Sequence, residues 1–253
     1  MFLEALIFDV DGTLADTERD GHRLAFNTAF HEFNLDWNWD VATYGQLLAV
    51  TGGKERMKHY VDTMRPDFQK NKDFDSLVIE LHQAKTRHYT TLLAEGGIPM
   101  RPGVKRLLHD ARSQGLRLAI ATTTTPENVS VLLEHSLAPD AMSWFEQIGA
   151  GDIVPAKKPA PDIYKWVLDR LGLKPAQCLA FEDSENGIRA SQGAQLKTVI
   201  TINDYTVDHD FTGAIAVLSD LGEPNAPFKV VQGDVGSKQY VDLELLRVWH
   251  AGA

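Results

Sequence analysis

An apolar run, Ala5-Leu6-Ile7-Phe8, stops on Asp9, Val10 and Asp11, and Gly12-Thr13 follow at once. A short apolar run bounded by polar residues reads as a buried strand. One that ends in Asp-x-Asp carries two carboxylates to the carboxyl edge of a sheet, where open α/β folds hold their ligands. Alternate side chains of a continuing strand face opposite ways, so Asp9 and Asp11 share a site only if the chain turns. Gly12 permits that turn because it tolerates backbone angles that other residues resist. Two acids converging this way suit a hard divalent cation and a nucleophile–acid pair.

From Glu18 onward the texture changes. Apolar residues three and four apart over 18–33, 53–64 and 74–93 predict amphipathic helices, with Trp37, Trp39 and Tyr44 in the connections and the polar segment 65–73 between two of them. From Arg101-Pro102-Gly103, helices and strands alternate. Helices are predicted over 104–113, 127–135, 162–171 and 185–192, strands over 116–122, 178–181 and 198–202, and a short apolar piece near Ile148. Such alternation implies an α/β fold with a doubly wound parallel sheet. Strand one precedes the helical block and its partners follow it. Residues 18–94 therefore read as an α-helical cap inserted into a Rossmann-like core of residues 1–17 and 95–253. The tail 223–253 reads as an appended strand or helix.

A formal net charge of −10 disfavours nucleic acid and anionic membranes as partners, and an anionic ligand then needs a local cluster of cations. No apolar run reaches bilayer-spanning length. The first ten residues lack the basic region of a signal peptide, and the single Cys178 cannot form an intramolecular disulfide. A cytoplasmic monomer acting on a small molecule is expected.

Four segments at strand ends carry polar residues. They are Asp9-Val10-Asp11-Gly12-Thr13, the hydroxyl run Thr122-Thr123-Thr124-Thr125, Lys157-Lys158-Pro159, and Glu182-Asp183-Ser184. Singly, each has an ordinary use: a turn, a β-branched strand end, a solvated lysine pair, a helix cap. Together and in this order, they resemble the motifs of the haloacid dehalogenase superfamily of aspartate-nucleophile phosphohydrolases, from Phe2 to about Gly222. The resemblance implies that Asp9 attacks phosphorus to form an aspartyl phosphate and that Asp11 serves as acid and base. It implies that Thr122 and its neighbours bond the phosphoryl oxygens, and that Lys158 (with Lys157 as the alternative) places a positive charge on the same group. It also implies Mg2+ held by Asp9, the Asp11 carbonyl, Glu182 and Asp183. The chemistry agrees, since a phosphate monoester repels nucleophiles until its charge is neutralised and the ester is held in line.

Within the superfamily, Asp16-Thr17-Glu18 and the helical cap resemble the β-phosphoglucomutase-like branch. The stretch 16–23, Trp39-Asp40-Val41 with Tyr44-Gly45, and the stretch 51–57 resemble the CbbY proteins. That resemblance implies hydrolysis of xylulose-1,5-bisphosphate, an inhibitor of Rubisco, to xylulose-5-phosphate, which returns to the Calvin cycle. A bisphosphate needs a second cationic seat. Lys54 and Arg56, just after Gly52 and Gly53, are the expected one, with Thr123 near the first phosphate and Glu18, His22 and Tyr44 on the sugar hydroxyls. Three rivals are weighed. Phosphoglycolate would waste the cap cations, and an inactive binding module would not keep Asp9, Asp11, Lys158 and Asp183. The mutase branch has a His four residues after the Thr, a position held here by Gly21 with His22 one place on, which disfavours a mutase.

Overall fold

The computed structural model describes residues 2–252 apart from Gln69, Asn71, Lys72 and Gly97. Strand β1 (Ala5–Phe8) is buried along its whole length because a parallel strand pairs with it on each side. These are β2 (Arg117–Ala121) and β4 (Cys178–Glu182), with Phe8 opposite both Ile120 and Phe181. With β3 (Gln147–Gly149), β5 (Lys197–Thr201), β6 (Ala216–Leu218) and β7 (Val230–Gln232), the sheet runs β3-β2-β1-β4-β5-β6-β7. Its pairs are parallel except β6–β7. The chain winds outward from β1 in one direction through β2 and β3, then in the other through β4. That reversal opens a crevice at the carboxyl end of β1.

The period-two alternation of a strand divides the core. Leu6, Phe8, Leu118 and Ile120 pack on one face with Leu107, Leu108, Leu132, Leu133 and Leu246. Those leucines belong to α5 (Val104–Ser113), α6 (Pro126–Ser136) and α9 (Leu243–Ala251). Ala5, Ile7, Ala119 and Ala121 pack on the other face against α7 (Asp162–Leu171) and α8 (Glu185–Gly193). The tail carries both a strand, β7, and a helix, α9, where one of the two was expected.

Between β1 and α5 lie α1 (Arg23–Glu32), α2 (Val41–Leu47), α3 (Gly53–Met64) and α4 (Phe74–Gly96). Two features differ from expectation. Tyr44 sits in a helix, α2, whose start is fixed by Asp40 accepting from the Thr43 N–H at 2.7 Å. The segment before α1 is a π turn, Glu18–His22, in which the Arg23 N–H donates to the Glu18 carbonyl five residues back. We take residues 18–94 as a cap unit. In support, Phe26, Phe30, Trp37, Trp39 and Tyr44 form an aromatic cluster with residues of α3 and α4 and none of the sheet. Among the described residues, no helix is long and apolar enough to cross a membrane.

Candidate active site

The sequence after β1 has to turn back within a few residues, and Gly12 makes this possible at φ +82°. A side chain there would also collide with the Asp183 carboxylate, so glycine serves both the turn and a close approach. Buried Arg101 pins the turn from behind by donating to the carbonyls of Gly12, Thr201, Ile202 and Ser219. Nothing in the sequence beyond its place before Pro102 distinguished this arginine.

The two acids then face different partners. Asp9 Oδ1 accepts from Lys158 Nζ at 2.6 Å, and the same ammonium donates to Glu182 Oε1 at 2.6 Å. Asp183 accepts from Asn203 Nδ2 at 2.7 Å. Lys157 points elsewhere, to Asp152 and Glu55 at 3.0 and 3.2 Å, so the lysine on Asp9 is Lys158. Carboxylate oxygens of Asp9, Glu182 and Asp183 lie within 4.8 Å of one another, all buried. Burial pushes Asp183 up to about 8, with the Glu182 charge adding to it. Asp9 is raised by burial too, although Lys158 opposes the shift. Glu182 Oε2 is buried without a hydrogen-bond partner. Three clustered acids, one lysine and one orphaned oxygen leave more buried carboxyl groups than the chain's own cation can neutralise once they ionise. Such an oxygen-only donor set fits a hard divalent cation.

Asp11 stands outside this side-chain trio. Its Oδ1 accepts from Thr17 Oγ1 at 2.6 Å and lies 2.9 Å from His22 Nε2, while His22 Nδ1 lies 2.8 Å from buried Lys85 Nζ. An ammonium only donates, so the charged lysine makes Nδ1 the acceptor and puts the imidazole proton on Nε2, toward Asp11. Burial raises the Asp11 carboxyl, but His22, Thr17 and Lys85 together outweigh it and hold the group at about 2. Burial brings Lys85 down to about 8.

The gap of five between Thr17 and His22 is bridged by the π turn. The expectation that Gly21 displaces the histidine from the acid is therefore corrected. The wider turn carries His22 to Asp11, and the argument against a mutase drawn from that spacing falls away. Lys85 was missed, yet a signal existed. Leu81, Lys85 and Tyr89 are four apart and buried on one face of α4, where a lysine has no ordinary structural use.

The hydroxyl run divides. Thr122 is buried just beyond β2, and its Oγ1 accepts from the Thr124 N–H at 3.3 Å. Thr123 lines the cavity. Thr124 is held by Asn128 Nδ2, a buried residue not foreseen, and Thr125 caps α6. The cavity of about 240 Å³ is lined by Asp9, Asp11, Arg56, Lys158 and Asp183. A larger hollow of about 440 Å³ on the Arg101 side of Gly12 lacks both Asp9 and Lys158.

On the cap side, Tyr44 donates its hydroxyl proton to Glu18 Oε2 and accepts from Arg56 Nη1 at 2.8 Å. Arg56 is 7 % exposed. It lines the main cavity, and Gly52 and Gly53 line a smaller recess beside it with Arg56, His22 and Lys85. Lys54 differs from expectation. Its Nζ lies 2.7 Å from Asp152 at the rim, and it does not line the cavity with Arg56. Its side chain is 35 % exposed, and it gains more from a carboxylate within reach than from turning inward beside another cation.

A haloacid dehalogenase-like hydrolase family model matches residues 3–195. The chain is similar to the plasmid CbbY protein of Cupriavidus necator, at 46 % identity over 99 % of this chain and 98 % of that one. It is also similar to a crystal structure of an Asp→Asn variant of CbbY from Rhodobacter sphaeroides in complex with xylulose-(1,5)bisphosphate. That similarity has a TM-score of 0.80 at 42 % identity, covering 87 % of this chain and 95 % of that one. A β-phosphoglucomutase structure from Clostridium difficile shares the fold at 22 % identity, with a TM-score of 0.69 over 85 % of this chain and 90 % of that one.

Proposed function

The chain belongs to the haloacid dehalogenase-like hydrolases and, within them, to the CbbY proteins, and from that premise we propose that this phosphatase converts xylulose-1,5-bisphosphate to xylulose-5-phosphate and so relieves Rubisco of an inhibitor. One observation carries the choice of a bisphosphate. The cavity has a buried cation on the core side, Lys158 beside Asp9, and another on the cap side, Arg56. A negatively charged protein needs both to hold a substrate charged at each end.

Asp9, held through Oδ1 by Lys158, attacks phosphorus with its other oxygen, and the ester P–O bond breaks as the aspartyl phosphate forms. The leaving alkoxide takes a proton from Asp11. Held low, Asp11 is a carboxylate at rest, so it must first gain that proton; His22 Nε2–H, 2.9 Å away, passes one while His22 Nδ1 takes a replacement from the Lys85 ammonium at 2.8 Å. Asp11 then takes a proton from the water that attacks the aspartyl phosphate, which frees Asp9. Thr122 and neighbouring N–H groups hold the phosphoryl oxygens. Mg2+ held by Asp9, Glu182, Asp183 and the Asp11 carbonyl would neutralise phosphoryl charge and fix the ester in line.

Phosphate release measured across sugar mono- and bisphosphates with magnesium should favour xylulose-1,5-bisphosphate. With His22 on Asp11, the mutase reading is tested directly. Efficient conversion of β-glucose-1-phosphate to glucose-6-phosphate with a bisphosphate primer would overturn the assignment.

Arg56→Ala should cut catalytic efficiency on the bisphosphate roughly tenfold to hundredfold, the cost of losing charge-assisted hydrogen bonds to a ligand. Para-nitrophenyl phosphate, which has no distal phosphate, should be affected far less. Lys54→Ala, already paired with Asp152, should act more weakly than Arg56→Ala. Equal losses on both substrates would reduce Arg56 to a strut of the cap.

Metal dependence has a pH signature. The folded chain keeps protons on Asp9 and Asp183 that the unfolded chain releases near pH 4. Where the native state binds more protons, stability falls as pH rises, so the metal-free protein should lose stability from about pH 4 to about pH 8. A cation competes for the same oxygens. Magnesium chloride should therefore raise Tm more at pH 8 than at pH 5, by an amount that follows its affinity. An equal or absent rise at the two pH values would take magnesium away from this trio.

A further inference from the structure

Thr17 and His22 both bond Asp11 Oδ1, at 2.6 and 2.9 Å. On an α-helix, residues five apart lie about 140° apart around the axis, at 100° per residue. They could not meet on one carboxylate oxygen. The α-helical neighbour of Thr17 would be its fourth successor, Gly21, which has nothing to offer Asp11. The turn avoids this by closing on the fifth residue, as the Arg23 N–H to Glu18 carbonyl bond records. Such single wide turns within helices recur at functional sites.

The residue that fills out the wide turn is under tight steric control. A Cβ built on Gly21 would lie 2.6 Å from Ile98 Cδ1 and 2.6 Å from Tyr89 Cε2. Isoleucine could yield by rotation, but the Tyr89 ring is constrained. It is 1 % exposed, it packs at a tilt of 36° against the His22 imidazole at 4.1 Å between centroids, and Lys85 Nζ sits 5.0 Å from its centre. A methyl group at position 21 that pushes on Tyr89 thus pushes on His22 and Lys85.

We propose that Gly21 is a positioning residue for proton transfer: as the extra residue of the π turn it sets the register that stands His22 on Asp11, and only glycine leaves room for Tyr89 to hold His22 there. The inference rests on the functional reading above for the role of Asp11, and not on which sugar phosphate is the substrate.

Two leaving groups separate this role from general support of the fold. A sugar alkoxide departs only with a proton, which Asp11 must supply, whereas para-nitrophenolate departs without one. Gly21→Ala should lower kcat on a sugar phosphate about tenfold or more, with KM within about twofold and a much smaller loss on para-nitrophenyl phosphate. His22→Ala should show the same selectivity. The double variant should be no worse than His22→Ala alone, because both changes act through one contact. Equal losses on the two substrates, or additive losses in the double variant, would overturn the proposal. If Gly21→Ala does not fold, deletion of Gly21 carries the test. It removes the extra residue and lets an α register bring the histidine to the fourth place after Thr17, about 40° from it, so sugar-phosphate turnover should persist. A folded deletion protein without that turnover would overturn the proposal equally. A wild-type enzyme that prefers another sugar phosphate would displace the substrate assignment and leave this comparison intact.

Discussion

Asp9→Asn is expected to abolish phosphate release, by roughly 10⁴-fold or more, the scale on which loss of a reacting side chain acts in hydrolases, while the protein folds normally. The amide has the shape of the carboxylate and lacks the negative oxygen that forms the covalent bond. Nothing else in the cavity replaces it. Glu182 is tied through Oε1 to Lys158 and Tyr164, and Asp11 to Thr17 and His22. Stability should hold or rise. Asp9 is buried and its acidity is suppressed by that burial, with Glu182 and Asp183 adding repulsion, so the substitution spares the fold the cost of ionising that position. Phosphate release and thermal unfolding of the same preparation check both halves. Near-normal turnover would dismiss the aspartyl phosphate.

Much of this site was legible because the physics that writes it is local and repetitive. A parallel strand buried on both faces has to be apolar throughout, so the acids ending β1 and β4 and the hydroxyls after β2 stand out sharply against their own strands. The doubly wound core followed from the same runs. What stayed hidden depends on relations that a single strand or helix does not carry. The π turn adds one residue without altering the apolar pattern, so Gly21 read as a displacement when it is an accommodation. The seven-residue helix around Tyr44 is shorter than the spans over which helical periodicity shows itself, and only Asp40, a capping residue, marked it. Lys54 and Arg56 look alike in sequence, two positions apart. Only tertiary placement separates them, because Arg56 is enclosed by Tyr44 and Glu18 whereas Asp152, nearly a hundred residues on, reaches Lys54. Strand β7 is exposed at each of its three residues and so offered no alternation to read.

Lys158→Met should fail in the opposite manner from Asp9→Asn, losing the fold's stability along with the activity. Lys158 is 6 % exposed, and its ammonium bonds Asp9 and Glu182 at 2.6 Å each. Taking one partner from a buried ion pair costs about 3–5 kcal/mol, chiefly because the charges left behind have neither water nor a counterion. The surviving carboxylates have an escape. Asp9 and Asp183 can take up protons, and their acidity in the fold, already weakened by burial, would weaken further without the lysine, whose charge opposes both shifts. The folded variant would then hold these protons to a higher pH than the wild-type fold does. Its deficit against wild type should be smallest at acid pH, where both keep those protons, and widen as pH rises past about 8, where wild-type Asp183 releases its own. A divalent cation should narrow the deficit at neutral pH by supplying positive charge to the same oxygens, yet it cannot restore turnover, because the charge that Lys158 gives Asp9 and the phosphoryl group would still be missing. Thermal unfolding of wild type and variant from about pH 5 to about pH 9, with and without magnesium, reads all three effects. A deficit that does not change with pH would mean that Lys158 stabilises the fold through packing rather than by charge, and the electrostatic account of this carboxylate cluster would have to be given up.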